Sequence, residues 1–214
     1  MAEATMDANE LAALKDAAKA FDRARMKQIG SFHFAMVMGA LTMWGAAETW
    51  AQVTGWAVAN FVAVANAVVA GVVISSTIHE WGHFTGARLS GSESPVFEKP
   101  KGHFFMFNFP IDQNDKEQFA WMSWGGILAP WVPVILALIL LPFGTLSGQV
   151  LFATLVTRAV GAGAFEVPIV RAVAEGGEPS AELGKATTTG RLPWSRNVGN
   201  VAGAACFALV WLIV

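Results

Sequence analysis

The sequence of 214 residues contains no tyrosine, a single cysteine and few charged side chains. Charged residues make up 14% of the chain, whereas a soluble domain carries about a quarter. The remaining charges cluster between long apolar segments, which is typical of a chain that crosses a lipid bilayer. The lone Cys206 excludes an intrachain disulfide, and the net charge of -2 argues against a nucleic-acid partner. The composition therefore predicts an integral membrane protein.

Hydrophobic residues are abundant, at 54% of the chain, and five segments are long and apolar enough to span a membrane. They cover 31–53, 57–80, 120–142, 149–172 and 197–214. A helical span needs about 20 residues, so the last segment is the marginal one. Tryptophans lie mostly near the segment ends, as in an aromatic belt. We predict an all-α polytopic fold with about five transmembrane helices.

The residues before the first span lack the apolar core of a cleavable signal peptide. Apolar residues instead recur at helical spacing over 8–27, and Asp7 and Glu10 stand where an N-cap and its partner would stand. We expect residues 1–28 to form an amphipathic helix, either on the membrane surface or packed on the protein in the cytoplasm. Residues 29–214 would then form a single membrane domain.

Lysine and arginine occur in every second segment outside the spans, and this distribution predicts how the chain is oriented in the membrane. They occur before the first span, in the 88–119 loop and in the 173–196 loop, and are missing from the other two links. The positive-inside rule places these basic segments, and with them the N-terminus, in the cytoplasm. We expect a multi-pass protein of the bacterial cytoplasmic (inner) membrane.

The second span ends in His79-Glu80-Trp81-Gly82-His83. Histidines four residues apart project from one face of a helix and can bind one metal ion, and Glu80 is placed to take a proton from water at that metal. Such residues are costly inside a membrane, which favours a functional role. The alternatives are a satisfied polar cluster or a haem or copper site. A histidine-rich di-iron site is excluded, because the chain has only four histidines.

The segment HEWGHFTGARLSG resembles the HExGHxxxAxxxG motif of the site-2 protease family, which are intramembrane zinc metalloproteases. The following SPVFEKPKGHFFMFNF is similar to the short strands after that motif, and residues 120–133 to the small-residue segment that opens the next span. The resemblance covers roughly 57–175 and shows no PDZ or CBS domain, so it implies a minimal member. It also implies a zinc cofactor, with the bilayer and a membrane protein substrate as partners.

The third metal ligand departs from the family pattern. The aspartate motif of the later span is missing, and the fourth span contains no aspartate. Glu166 is the first candidate, because the second and fourth spans run in the same direction and the helical rise puts it about 7–8 Å in depth from His79. Glu175 is the second candidate. His103 and Asp112 follow, and a missing ligand would make the chain a degenerate relative.

Two further features have a structural and a functional interpretation. Arg158 lies within the fourth span and needs a partner, for which Glu48 is the candidate in a helix–helix clamp. The resemblance alternatively implies that Arg158 binds substrate. A β-hairpin-like loop after the second span, with Phe105, Phe107 and Asn108, either dips into the membrane or receives an unwound substrate by strand addition.

Two functions follow from these predictions. The first is zinc-dependent hydrolysis of peptide bonds in membrane-embedded or membrane-adjacent protein segments near the cytoplasmic face, with Glu80 as the catalytic base and His79, His83 and Glu166 as ligands. The alternative is a catalytically degenerate protease-like subunit with a structural or assembly role among other membrane subunits. That alternative predicts a metal-poor protein. A transporter is disfavoured, because no repeat of paired broken helices is visible.

Overall fold

The computed structural model describes residues 7–97 and 106–214. These residues form seven helices: α1 (Ala8–Thr54), α2 (Ala57–Leu89), α3 (Lys116–Leu128), α4 (Trp131–Leu140), α5 (Leu146–Ala174), α6 (Pro179–Thr188) and α7 (Arg191–Ile213). Five stretches are long and apolar enough to cross a membrane, with α3 and α4 together providing one of them. The all-α polytopic fold with five transmembrane-length helices is therefore confirmed.

Helix α1 is one uninterrupted helix of 47 residues. Its first turn has the expected capping box, in which the Asp7 carboxylate accepts from the Asn9 N–H and the Glu10 carboxylate from the Asp7 N–H. The amphipathic segment predicted over 8–27 is continuous with the first span. Helix α1 ends at Thr54, where Gly55 adopts a left-handed φ of 66°.

The N-terminal part of α1 contacts the segment that follows α2. Asp22 forms an ion pair of 2.7 Å with Arg88 and also accepts a hydrogen bond from the Val96 N–H. Arg25 donates to the carbonyl oxygen of Phe97 at 3.2 Å. The last turns of the amphipathic segment therefore pack on the protein.

Helices α2 and α5 lie side by side and run in the same direction. A Cβ added to Gly71 would lie 2.7 Å from the Thr154 side chain, so the two backbones approach closely at this level. Three turns further along both helices, His83 lies beside Glu166. Small residues at a helix interface permit this approach, which holds the two helices in a defined register.

The predicted β-hairpin-like loop is wrong for the part of the loop that the structure describes, which contains no strand. It contains an isolated antiparallel bridge between Val96 and Phe107. Phe107 packs on the Phe84 ring of α2, with 5.3 Å between ring centroids, and Met106 is fully buried. Side-chain packing on α2 and two backbone hydrogen bonds, from Phe97 to Met106 and from Asn108 to Pro95, hold the described part of this segment. Phe105 lies outside the described residues.

The predicted clamp between Glu48 and Arg158 is also wrong. The Glu48 carboxylate accepts hydrogen bonds from Ser147 and from Gln52, while Arg158 donates to the Ser76 hydroxyl at 3.0 Å. Ser147 and Arg158 are eleven residues apart on α5, which corresponds to about 16 Å along the helix. Glu48 therefore lies too far along the bundle to reach the guanidinium group.

Candidate metal centre

His79 and His83 lie one turn apart on α2, and their Nε2 atoms are 3.2 Å from each other. The Nδ1 atom of His79 is 2.9 Å from the carbonyl oxygen of Gly126, and that of His83 is 2.9 Å from the carbonyl oxygen of Met122. A carbonyl oxygen only accepts hydrogen bonds, so each Nδ1 carries the proton. In the neutral imidazoles both Nε2 atoms then present lone pairs, as in histidines that bind metals.

Glu166 on α5 completes the group, because its Oε1 atom lies 3.2 Å from the Nε2 atoms of both histidines. The predicted depth difference of about 7–8 Å between His79 and Glu166 is not observed. Helix α5 begins at Leu146, before the predicted start of the fourth span, and the close approach of α2 and α5 sets their register. The second oxygen of Glu166 is buried and makes no hydrogen bond within the described residues.

The three facing atoms fit a divalent metal ion. Two imidazole lone pairs and a carboxylate oxygen repel each other unless a positive charge, a proton or a cation, lies between them. In tetrahedral zinc sites the metal–ligand distances of 2.0–2.1 Å separate ligand atoms by about 3.3–3.4 Å. The observed separations of 3.2 Å are close to that value. His79, His83 and Glu166 together can therefore hold a metal.

Glu80 is the remaining acid at this position and faces the same cavity as His79 and Glu166. It is not one of the three grouped ligand atoms. A carboxylate beside a metal site, but free of the metal, is placed to accept a proton from water and to return it to a leaving group. The arrangement therefore separates three metal-binding groups from one potential general base.

Glycines allow α3 to lie against the histidine-bearing face of α2. A Cβ on Gly82 would overlap the carbonyl oxygen of Gly125, and a Cβ on Gly126 would overlap the His83 imidazole. The support that Gly126 and Met122 give to the histidines was not predicted from the sequence. The glycine pair at 125–126 could have indicated this close contact. It lies within residues 120–133, which are similar to the small-residue segment of the site-2 protease family.

Gly126→Ala is expected to lower metal affinity about 10–100-fold, which is the usual cost of disturbing a group that orients a ligand. The added methyl group would push the His83 ring away from its position opposite Glu166. Competition for zinc against a chelator of known affinity measures this change. Gly163→Ala on α5 is the matched control, because no atom lies within 4 Å of its added Cβ. Equal affinities of the two variants would contradict the role of Gly126.

The other residues considered as ligands lie outside this group. Glu175 is exposed at the C-cap of α5, and Asp112 is exposed in the segment before α3. His103, like Phe105, falls outside the described residues. Glu166 is therefore the carboxylate that the fold brings to the two histidines.

The predicted substrate-binding residues are divided between two places. Phe107 and Asn108 lie in the segment packed on α2, where the Asn108 N–H donates to the carbonyl oxygen of Pro95. Arg158 lines a cavity of about 850 Å³ between α2, α5 and α7. His79, Glu80 and Glu166 line the same cavity. Arg158 is therefore the predicted substrate-binding residue that shares a cavity with the candidate metal centre.

Comparisons with known proteins found no matching family model, no matching curated protein and no matching solved structure. The resemblance to the site-2 protease family thus remains a prediction based on the motif at residues 79–91. The geometry of His79, His83 and Glu166 is an independent observation and identifies this region as the candidate metal centre.

Proposed function

We propose that this chain is an intramembrane zinc metalloprotease. It hydrolyses peptide bonds in membrane-embedded or membrane-adjacent protein segments near the cytoplasmic face. The observation that carries the proposal is the group of three ligand atoms 3.2 Å apart, on helices of membrane-spanning length and beside an acid that is not a ligand. The resemblance of HEWGH and its surroundings to the site-2 protease family supports the same function.

A zinc ion held by His79, His83 and Glu166 would polarise the substrate carbonyl and acidify a water molecule. Glu80 would take one proton from the attacking water as the water oxygen bonds to the carbonyl carbon. The C–N bond then breaks, and Glu80 gives the proton to the leaving amine. One water is consumed and no other reactant is needed. The carbonyl oxygens of Gly126 and Met122 hold the imidazoles in position throughout.

The cavity beside the site suits a short extended segment of substrate. A transmembrane helix hides its carbonyl groups in its own hydrogen bonds, so a helical substrate has to unwind before hydrolysis. A cavity of about 850 Å³ has room for a few unwound residues. Ser75 and Ser76 line its wall, where the Ser76 hydroxyl accepts a hydrogen bond from Arg158.

The distribution of basic residues supports a cytoplasmic N-terminus and an inner-membrane location. The HEWGH sequence lies in the last three turns of α2, close to the ion pair between Asp22 and Arg88. This end of α2 is therefore at the charged side of the protein, and by the positive-inside rule that side is cytoplasmic. The site would then release products toward the cytoplasm.

Chelation is expected to abolish peptide hydrolysis by the purified protein. The substrate is a transmembrane peptide with a fluorophore and a quencher, reconstituted with the full chain in detergent. We expect 1,10-phenanthroline to lower the cleavage rate at least about tenfold, and zinc but not magnesium to restore it, because two histidines and a carboxylate favour zinc. The non-chelating isomer 1,7-phenanthroline is the control. A well-folded protein without bound metal or hydrolysis would contradict the proposal and favour the degenerate-subunit alternative.

A further inference from the structure

Two arginines in the cavity have no acidic partner among the residues that the structure describes. Arg158 lies near the middle of α5 and donates to the uncharged Ser76 hydroxyl. Arg196 lies in the second turn of α7 and lines the same cavity. No ion pair between described residues includes either guanidinium group. A charge within a membrane span is costly unless it faces water or pairs with an opposite charge, which marks Arg158 as a functional candidate. Arg196 belongs to the basic 173–196 segment at the start of α7.

Helix packing brings the two arginines to neighbouring levels of the cavity. A Cβ added to Gly161 on α5 would lie 3.5 Å from the carbonyl oxygen of Ser195 on α7. Arg158 is three residues before Gly161, and Arg196 directly follows Ser195. Both arginines are thus on adjacent helices within about one turn of the same contact. This contact places their two positive charges on one side of the metal centre.

The charges that line the cavity are separated along α5. Glu166 lies eight residues beyond Arg158, but the Arg158 guanidinium reaches Ser76, which is three residues or about 4.5 Å along α2 before His79. His79 and Glu80 lie at the Glu166 end, whereas the Arg158 end has hydroxyl, small and apolar neighbours and no carboxylate among its described lining residues. A molecule with an anionic group close to a peptide bond matches this distribution.

We propose that Arg158 and Arg196 bind a carboxylate of the substrate that lies close to the hydrolysed peptide bond. The planar guanidinium group binds a carboxylate through two parallel hydrogen bonds. The carboxylate is either the free C-terminus of the substrate or an aspartate or glutamate side chain. This inference rests on the proposed protease function and names its substrate class.

Peptide binding to the full-length Glu80→Gln protein in detergent tests this proposal without interference from hydrolysis. The probes are four labelled apolar peptides: one with a free C-terminus, its amidated form, and amidated forms with one internal glutamate or glutamine. We expect one carboxylate peptide to bind at least about tenfold more tightly than its neutral partner, which also identifies the source of the carboxylate. Arg158→Gln or Arg196→Gln in the same background should remove this preference.

Arg171→Gln is the matched control, because Arg171 is an exposed arginine of the same helix and lies outside the cavity lining. It should retain the full preference. Arg158→Lys keeps the positive charge but loses the planar guanidinium group, so it should retain part of the preference for carboxylate peptides. Such partial retention would exclude misfolding as the cause of the loss in Arg158→Gln.

Equal binding of charged and neutral peptides to a protein that holds zinc and cleaves peptides would overturn this inference and leave the protease function intact. An arginine-dependent preference in a protein without zinc or hydrolysis would support the carboxylate site and contradict the protease function. Binding of phosphatidylglycerol micelles that requires both arginines, without any carboxylate preference among the peptides, would also overturn the inference and assign the site to lipid phosphate.

Discussion

Glu166→Ala should reduce the zinc content of the purified protein from about one ion per chain to less than about a tenth. The variant removes one of the three ligand atoms, and the carboxylate oxygen that it removes lies 3.2 Å from both histidine Nε2 atoms. Loss of a direct ligand should lower zinc affinity by more than the 10–100-fold that is typical of substitutions in groups that orient a ligand. Inductively coupled plasma mass spectrometry on detergent-purified protein measures the metal directly.

Glu175→Ala is the matched control for this experiment, because Glu175 was the second candidate ligand and is exposed at the C-cap of α5. It should retain the zinc content of the wild type. Loss of zinc in Glu175→Ala alone would identify Glu175, at the end of α5, as the third ligand and would contradict the arrangement described above. Full zinc content in both variants would show that neither acid is required.

Glu80→Gln should leave the zinc content unchanged and lower the rate of peptide hydrolysis by about 10²–10⁴-fold, which is the typical contribution of a general acid–base group. Glutamine has nearly the same shape as glutamate but cannot take a proton from water. Glu80 is not one of the three grouped ligand atoms, so its substitution should not disturb the metal. Parallel measurement of zinc content and of cleavage of the quenched transmembrane peptide separates these two effects.

Glu175→Gln provides the corresponding control, because it makes the same chemical change at an exposed acid outside the cavity lining. Its rate should match that of the wild type. An unchanged rate in Glu80→Gln would exclude Glu80 as the base. Zinc loss together with rate loss in that variant would instead assign Glu80 to the metal site.

Local sequence patterns predicted most of the secondary structure. Apolar length identified the five spans, because each helix has to satisfy its own backbone hydrogen bonds over the thickness of the bilayer. Asp7 and Glu10 were recognised as a capping box because their interaction spans only three residues. The continuity of α1 was missed, because a change from amphipathic to apolar side chains does not interrupt a backbone helix.

Contacts between distant segments were predicted less well. Glu48 and Arg158 were paired by depth alone, yet the fold puts Ser147 beside Glu48 and Ser76 beside Arg158. The segment around Phe107 was predicted to form a β-hairpin-like loop, but its described part contains one isolated bridge, and Phe107 packs on α2. Depth along a span fixes one coordinate of a residue, whereas a contact also depends on which helices are neighbours and how each is rotated.

The sequence by itself determined the membrane class, the number of long apolar helices and the placement of two histidines on one helical face, because these depend on composition and on spacings within a few residues. The tertiary structure alone decided that Glu166 faces both histidines and that Arg158 and Arg196 line one cavity. These arrangements depend on the register between α2, α5 and α7. Close approaches of small residues set that register, and they form only when the helices pack.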